Sequence, residues 1–184
     1  MMSKKTTSSA LSPEYVLLGL LTQRPAHGYD LHERIRQELG QIWQIGLSQT
    51  YNILKRLEAK GFIIGAVQEQ EKAPARRRFR LTPLGRRRFE EWLSIPAEPS
   101  ARAIRVEFLT RLYFTYTTNP KAARSLIDIQ IAETKAGVSH LTEVLGKLPP
   151  EQTFNQLGLD LRLRQLTSIL EWLVECRTIL GFDS

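Results

Sequence analysis

The chain of 184 residues has room for one domain or two small ones, and its 42% hydrophobic and 24% charged content is that of an ordinary soluble globular protein. No apolar run approaches the roughly 20 residues that span a bilayer, and the polar stretch Met1 to Ala10 (MMSKKTTSSA) lacks the apolar centre of a signal peptide. Cys176 is the only cysteine, which excludes an internal disulfide and a cysteine-cluster metal site and suits a reducing cytoplasm.

Charge is unevenly placed. Residues 1–96 hold 16 Lys/Arg against 9 Asp/Glu, a net of +7, whereas residues 97–184 hold 10 of each sign and are neutral. That asymmetry predicts a basic module joined to a neutral one.

In chain order, residues 1–10 are expected to form a flexible tail. Ser12-Pro13 is a helix start, Ser as cap and Pro as first helical residue, and Tyr15, Val16, Leu17, Leu18, Leu20 and Leu21 make a largely buried first helix. It ends near Arg24-Pro25. After a turn at His27-Gly28, "HGYDLHERIRQEL" (27–39) makes a second helix with Leu31, Ile35 and Leu39 inward, stopped by Gly40. A connector, "QIWQIG" (41–46), leads to a third helix in "SQTYNILKRLEAKGFI" (48–63), with Ser48 as the expected N-cap and Gly61 as the stop.

One side of that third helix holds Thr50, Leu54 and Leu57, with Leu47 and Ile53 flanking; the other is centred on Ser48, Asn52, Lys55 and Ala59, with Tyr51 and Arg56 at its margins. A solvated face would mix acids with bases. This one has amides, hydroxyls and bases, and Glu58 lies toward the buried edge, so the face is suited to an anionic partner. "FIIGAV" (62–67) reads as a strand, "QEQEKAPA" (68–75) as a polar loop and "RRRFRLT" (76–82) as a returning strand. Alternation puts Arg76, Arg78 and Arg80 on one face of it, Arg77, Phe79 and Leu81 on the other. Thr82-Pro83 starts a fourth helix with Phe89, Trp92 and Leu93 inward. The order helix, helix, helix, hairpin, helix is a helix-turn-helix followed by a wing.

"SIPAEPS" (94–100) marks the charge boundary, with a linker at residues 95–100. Beyond it, residues 101–117 form an aromatic-rich helix, and Asn119-Pro120 caps a long one running to about Leu148. Ile127, Ile131, Thr134, Val138, Leu141, Leu145 and Leu148 alternate spacings of four and three, a coiled-coil type of seam. After Pro149-Pro150 a last helix from about Leu157 to Leu180 carries Leu159, Leu163, Leu166, Leu170 and Leu173. Stripes this wide, without a third layer, call for a partner, and a second copy of the chain is the cheapest source.

Two readings suit the basic face. Duplex DNA is the first: a helix fits the major groove, Gln49 and Asn52 have the bidentate geometry for adenine, Lys55 and Arg56 reach guanine or phosphate, and Tyr51 suits a phosphate. The arginine strand suits a backbone or a narrow minor groove. The second is an interaction module whose basic face meets an acidic protein. Catalysis finds no nucleophile motif, phosphate loop, carboxylate pair or metal-ligand cluster, so neither a cofactor nor a metal is expected. Trp43, Trp92, Phe108 and Trp172 have the chemistry of an effector pocket between the two halves, or of ordinary core packing.

"VLLGLL…PAHGYDL" (16–31), "LSQTYNILKRLEAKGFI" (47–63) and "RRRFRLTPLGRRRFEEWL" (76–93), in that order, resemble the PadR family of bacterial transcriptional regulators. The helical tail resembles the family's larger subgroup, whose C-terminal part is similar to a virulence-activator α domain. The resemblance implies a mainly α fold with a small β-hairpin: a winged helix-turn-helix at residues 11–94 and a helical dimerisation and effector-response domain at residues 101–184. It further implies a homodimer on operator DNA, acting as a repressor released by a small aromatic or amphipathic effector; since a twofold dimer presents two third helices, the double-stranded operator is expected to be an inverted repeat. The expected DNA contacts are Ser48, Gln49, Tyr51, Asn52, Lys55, Arg56, Arg76, Arg78 and Arg80; the expected dimer contacts are Ile127, Ile131, Val138, Leu141, Leu145, Leu166, Leu170 and Leu173. Where the family often has Leu-Tyr-Pro in the third helix, this chain has Thr50-Tyr51-Asn52, so its sequence preference does not follow from its relatives.

Overall fold

The computed structural model describes residues 12–70 and 73–182, so the tail expected at residues 1–10 lies outside the described residues. The chain divides into two compact units, Met1–Ile95 and Pro96–Ser184.

The first unit is organised around α1 (Glu14–Gln23), in which every residue from Tyr15 to Leu21 is buried. A helix apolar all round belongs in the middle of a core, and each fully buried Leu or Val contributes about 1.5–3 kcal/mol. Ser12 lies outside the helix, and its hydroxyl accepts from the Glu14 N–H at 3.3 Å. Helices α2 (Gly28–Glu38) and α3 (Leu47–Ala59) pack on it through Leu31, Ile35, Ile53, Leu54 and Leu57, none more than 1% exposed. Ser48 is not the cap of α3. Gly46 stands at that position, because the Thr50 N–H and hydroxyl both bond the Gly46 carbonyl, at 2.9 and 3.1 Å, and wind the helix back to Leu47. Ser48 thereby becomes an exposed residue of the first turn.

The sheet has three strands in the order β1-β3-β2, all antiparallel. Its third strand, β1 (Ala26–His27), replaces the turn expected there and pairs with Phe79 and Arg78. Two residues are too few for any periodicity, so only the neighbour strand reveals it. The hairpin strands β2 (Ile63–Gln70) and β3 (Ala73–Leu81) reach into the segment expected to be a loop, with a register irregularity between Gln68 and Gln70. Thr82 caps α4 (Pro83–Ser94) by accepting from the Gly85 N–H at 3.0 Å, and its hydroxyl donates to the Gly61 carbonyl at 2.8 Å. Gly85 has to be small: a Cβ there would lie 2.0 Å from the Phe62 carbonyl oxygen. Trp92 of α4 stacks on Tyr15 at 4.6 Å between ring centroids, so this tryptophan is spent in the unit's own core.

In the second unit, α5 (Ala101–Ala103), a π-helical turn (Ile104–Phe108) and α6 (Leu109–Thr118) form one continuous helical segment. The widened turn buries Glu107 against Arg111 at 3.2 Å. Burial raises the Glu107 carboxyl above the usual range, and the guanidinium opposes that rise. Asn119 accepts from the Ala122 N–H at 3.1 Å and, with Pro120 at the first position, starts α7 (Pro120–Gly146). The last helix, α8 (Thr153–Ile179), lies alongside α7 and starts a turn earlier than the apolar pattern suggests.

The fully buried Gln130 side chain is bonded both ways to Ala97, accepting from its N–H and donating to its carbonyl, each at 3.0 Å. Pro99 lies against Gly137, where a Cβ would come within 2.9 Å of the Pro99 ring. The proline-containing stretch is thus bound to α7. Phe108, Leu112, Ile127, Leu173 and Cys176 form the core of this unit, with Trp172 edge-on to Phe108 at 6.3 Å. Within single units, then, Trp92 belongs to one core and Phe108 with Trp172 to the other, while Trp43 is half-buried in the first.

The apolar seams are largely closed within the chain. Ile127, Leu141, Leu166 and Leu173 are buried, and Ile131, Val138, Leu145 and Leu170 are half-buried. Apolar surface remains elsewhere: Phe154 is 88% exposed and Ile179 74%, with Ile129, Leu157, Leu161 and Val174 at half or more.

Candidate nucleic-acid interface

Burying Thr50, Ile53, Leu54 and Leu57 forces the opposite side of α3 outward. Ser48, Gln49, Tyr51, Asn52 and Lys55 are all exposed there. Arg56, also exposed, points toward α1 and pairs with Glu14 at 3.5 Å, beside Lys60 at 3.4 Å from the same carboxylate. An exposed pair of that kind is worth at most about 1 kcal/mol, so Arg56 readily exchanges Glu14 for another anion.

The wing supplies the second basic element. Phe79 is buried, while Arg78 and Arg80 on the alternate face are exposed. Arg78 Nη2 donates to the Pro25 carbonyl at 3.4 Å, which leaves most of its guanidinium free for another acceptor. Arg76 pairs through its backbone with Gln68, and its side chain lies outside those described. Arg77 turns the other way and donates to Glu58 at 2.7 Å.

Between α3 and the wing runs an open groove of about 950 Å³. Tyr51, Asn52, Lys55 and Glu58 line it from α3, Arg77 and Phe79 from β3. His27, Gly28, Tyr29 and Asp30, at the start of α2, line it too, a contribution that sequence reasoning missed. The signal was present in "HGY": Gly28 is the one residue that lets Tyr51 approach, since a Cβ there would lie 2.6 Å from Tyr51 Cε1. His27 is fastened by Nδ1, 3.1 Å from the Arg77 carbonyl oxygen. Hydroxyls, an amide, bases and a helix start line this surface together with two carboxylates, Asp30 and Glu58; the first four are the groups that position a phosphate backbone and read base edges.

Comparison with known proteins bears on both units. Residues 17–91 match the Transcriptional regulator PadR-like family, and residues 104–181 match the Virulence activator alpha C-term family. The chain is 31% identical over 135 residues to the negative transcriptional regulator PadR of Bacillus subtilis strain 168, covering 73% of this chain and 74% of that one. The crystal structure of Bacillus subtilis PadR in complex with operator DNA is similar at 28% identity, over 91% of this chain and 98% of that chain, with a TM-score of 0.46. The same regulator in complex with p-coumaric acid gives 27% identity over 92% and 96%, with a TM-score of 0.40.

Proposed function

The chain belongs to the PadR-like family of transcriptional regulators, and on that premise we propose that it is a homodimeric, sequence-specific DNA-binding repressor released by a small aromatic or amphipathic effector. The observation that carries this reading is the exposed, acid-free strip of Ser48, Gln49, Tyr51, Asn52 and Lys55 on α3, flanked by Arg78 and Arg80 of the wing. In this reading α3 enters the major groove and the wing arginines hold the phosphate backbone. Arg56 joins them by exchanging Glu14 for phosphate. Repression is supported by the name of the Bacillus subtilis relative, a negative regulator. Residues 11–94 then bind DNA, residues 95–100 connect, and residues 101–184 dimerise and respond to the effector.

A twofold dimer presents two copies of α3, so the operator is an inverted repeat with half-sites about one helical turn, or a multiple of it, apart. Because Ile127, Leu141, Leu166 and Leu173 are consumed within the chain, the dimer contact moves to the apolar residues left outside, Phe154, Leu157 and Leu161 among them. An effector acts only by binding better to a dimer whose heads misfit the operator. Aromatic side chains of the second unit, such as Trp172, supply its pocket.

The test is selection of duplexes from a random pool, followed by titration. Asn52→Ala should relax preference at one base position, by roughly 1–3 kcal/mol for a bidentate contact. Arg78→Ala should weaken selected and random duplexes together and flatten the salt dependence. Unchanged affinity and preference in both Asn52→Ala and Lys55→Ala would transfer the basic face to an acidic protein partner.

A further inference from the structure

A carboxylate on a DNA-binding surface is repelled by every phosphate nearby, so the position of Glu58 in the groove calls for a reason. The reason lies at the edge of the sheet. β2 is an outer strand, and the Thr82 N–H donates to the Phe62 carbonyl at 3.1 Å. That bond sets Phe62 as a position facing β3, so by alternation Ile63, Gly65 and Val67 turn their N–H and C=O outward. An open edge of this kind normally needs water or another strand. At Gly65 it has side chains instead. The Gly65 N–H donates to Glu58 Oε1 at 2.9 Å, and Arg77 Nη2 donates to the same oxygen at 2.7 Å while lying 3.5 Å from the Gly65 carbonyl oxygen.

Two further contacts hold Arg77 in place. The Arg77 guanidinium lies over the Phe79 ring, 5.6 Å from its centroid, and the Arg77 carbonyl is held by His27. A Cβ on residue 65 would come within 2.9 Å of Glu58 Oε1, 3.0 Å of Arg77 Nη2 and 3.0 Å of Phe79 Cε1. A side chain at residue 65 would therefore press on all three groups at once.

We propose that Glu58 is a positioning residue of the DNA-binding surface: it latches the base of the wing to the last turn of α3 and withholds Arg77 from phosphate. Arg78 and Arg80 are then presented at one setting relative to Asn52 and Lys55, and sequence selectivity depends on that setting. This rests on the DNA-binding reading above. Removing Glu58 adds one net positive charge to the surface, so a loss of operator affinity cannot come from weakened electrostatics. That separates positioning from charge.

The experiment compares the full-length wild-type protein with Glu58→Ala, Glu58→Gln, Arg77→Ala and the Glu58→Ala/Arg77→Ala double variant. Each is titrated with the duplex selected by wild type and with random duplex, well below the melting temperature. Glu58→Ala should lower the ratio of selected to random affinity about tenfold, comparable to the loss of one good base contact, with random-duplex affinity equal or tighter. Glu58→Gln keeps an acceptor for Gly65 and should recover part of the ratio. The double variant should be no worse than the weaker single, since both residues serve one latch. A purely structural role would shift the melting temperature and leave the ratio alone. An unchanged ratio in Glu58→Ala, or fully additive losses in the double variant, overturns the proposal. Should Glu58→Ala not fold, Glu58→Gln and hydrogen exchange at the wild-type Gly65 amide decide: slow exchange supports the latch, and exchange at the rate of an open edge amide refutes it. A wild-type protein that selects no duplex overturns the DNA reading and the positioning role together, and the Gly65 amide then reports the latch by itself.

Discussion

Gly28→Ala separates the architecture of the groove from its stability. Gly28 is the first residue of α2, is buried, and has no positive φ, so its backbone accepts alanine without strain. The added methyl carbon would lie 2.6 and 2.9 Å from Cε1 and Cζ of Tyr51 and 3.2 Å from Cδ1 of Leu54. Carbon atoms rest at about 3.5–4.0 Å, so the phenol ring must retreat by about 1 Å. Tyr51 is 46% exposed and has room to do so, which keeps the overpacking cost toward the low end of about 1–3 kcal/mol. Alanine regains up to about 1 kcal/mol in helix propensity, so net stability should change by only about 1 kcal/mol.

DNA binding should change more. A hydroxyl-to-phosphate bond needs its oxygens within about 3.0 Å, and a 1 Å displacement removes it. A hydrogen bond to a charged group is worth about 1.5–3 kcal/mol, which is roughly a tenfold loss or more in affinity. Because phosphate contacts carry no sequence information, selected and random duplexes should weaken alike. Tyr51→Phe should show the same loss, and the double variant no more than either single one. The assays are fluorescence anisotropy with both duplexes and thermal melting by circular dichroism. Wild-type affinity in Gly28→Ala refutes the placing of Tyr51 on phosphate. A loss confined to the selected duplex reassigns Tyr51 to a base edge.

Gln130→Leu keeps the shape of a buried side chain but leaves the Ala97 N–H and carbonyl without partners, which should cost about 2–5 kcal/mol in denaturant unfolding of the second unit; a change under about 0.5 kcal/mol would mean that water replaces the amide. Leu157→Glu with Leu161→Glu alters only exposed positions, so melting should hold while sedimentation shows monomer and operator affinity falls; an unchanged dimer places the contact on another face. Burial, with the nearby Glu175 carboxylate, pushes the Cys176 thiol up to about 11, so a disulfide reagent at pH 8 should label the native protein far more slowly than the denatured one. Rapid native labelling at that pH would show that α8 opens locally.

The sequence determined the elements whose signals are local. Tyr15 to Leu21 is apolar on every side, which requires a central helix, and Thr82-Pro83 and Asn119-Pro120 set two helix starts through their own side chains and fixed φ. The polar strip on α3 is likewise a matter of 100° per residue, and the alternation around Phe79 follows from the two-residue repeat of a strand. The tertiary structure decided everything that depends on a partner distant along the chain. β1 forms because β3, some fifty residues on, lies beside it, with Ala26 paired to Phe79 and His27 to Arg78. Glu58 looks in sequence like a residue at the buried edge of a helix; its meaning comes from Gly65 and Arg77, seven and nineteen residues away. The seam on α7 shows that apolar surface must be covered, but burial free energy is non-directional and does not specify by what. Folding covered Ile127 and Leu141 within the chain, Ile127 among Phe108, Leu112, Leu173 and Cys176, and left Phe154, Leu157 and Leu161 outside.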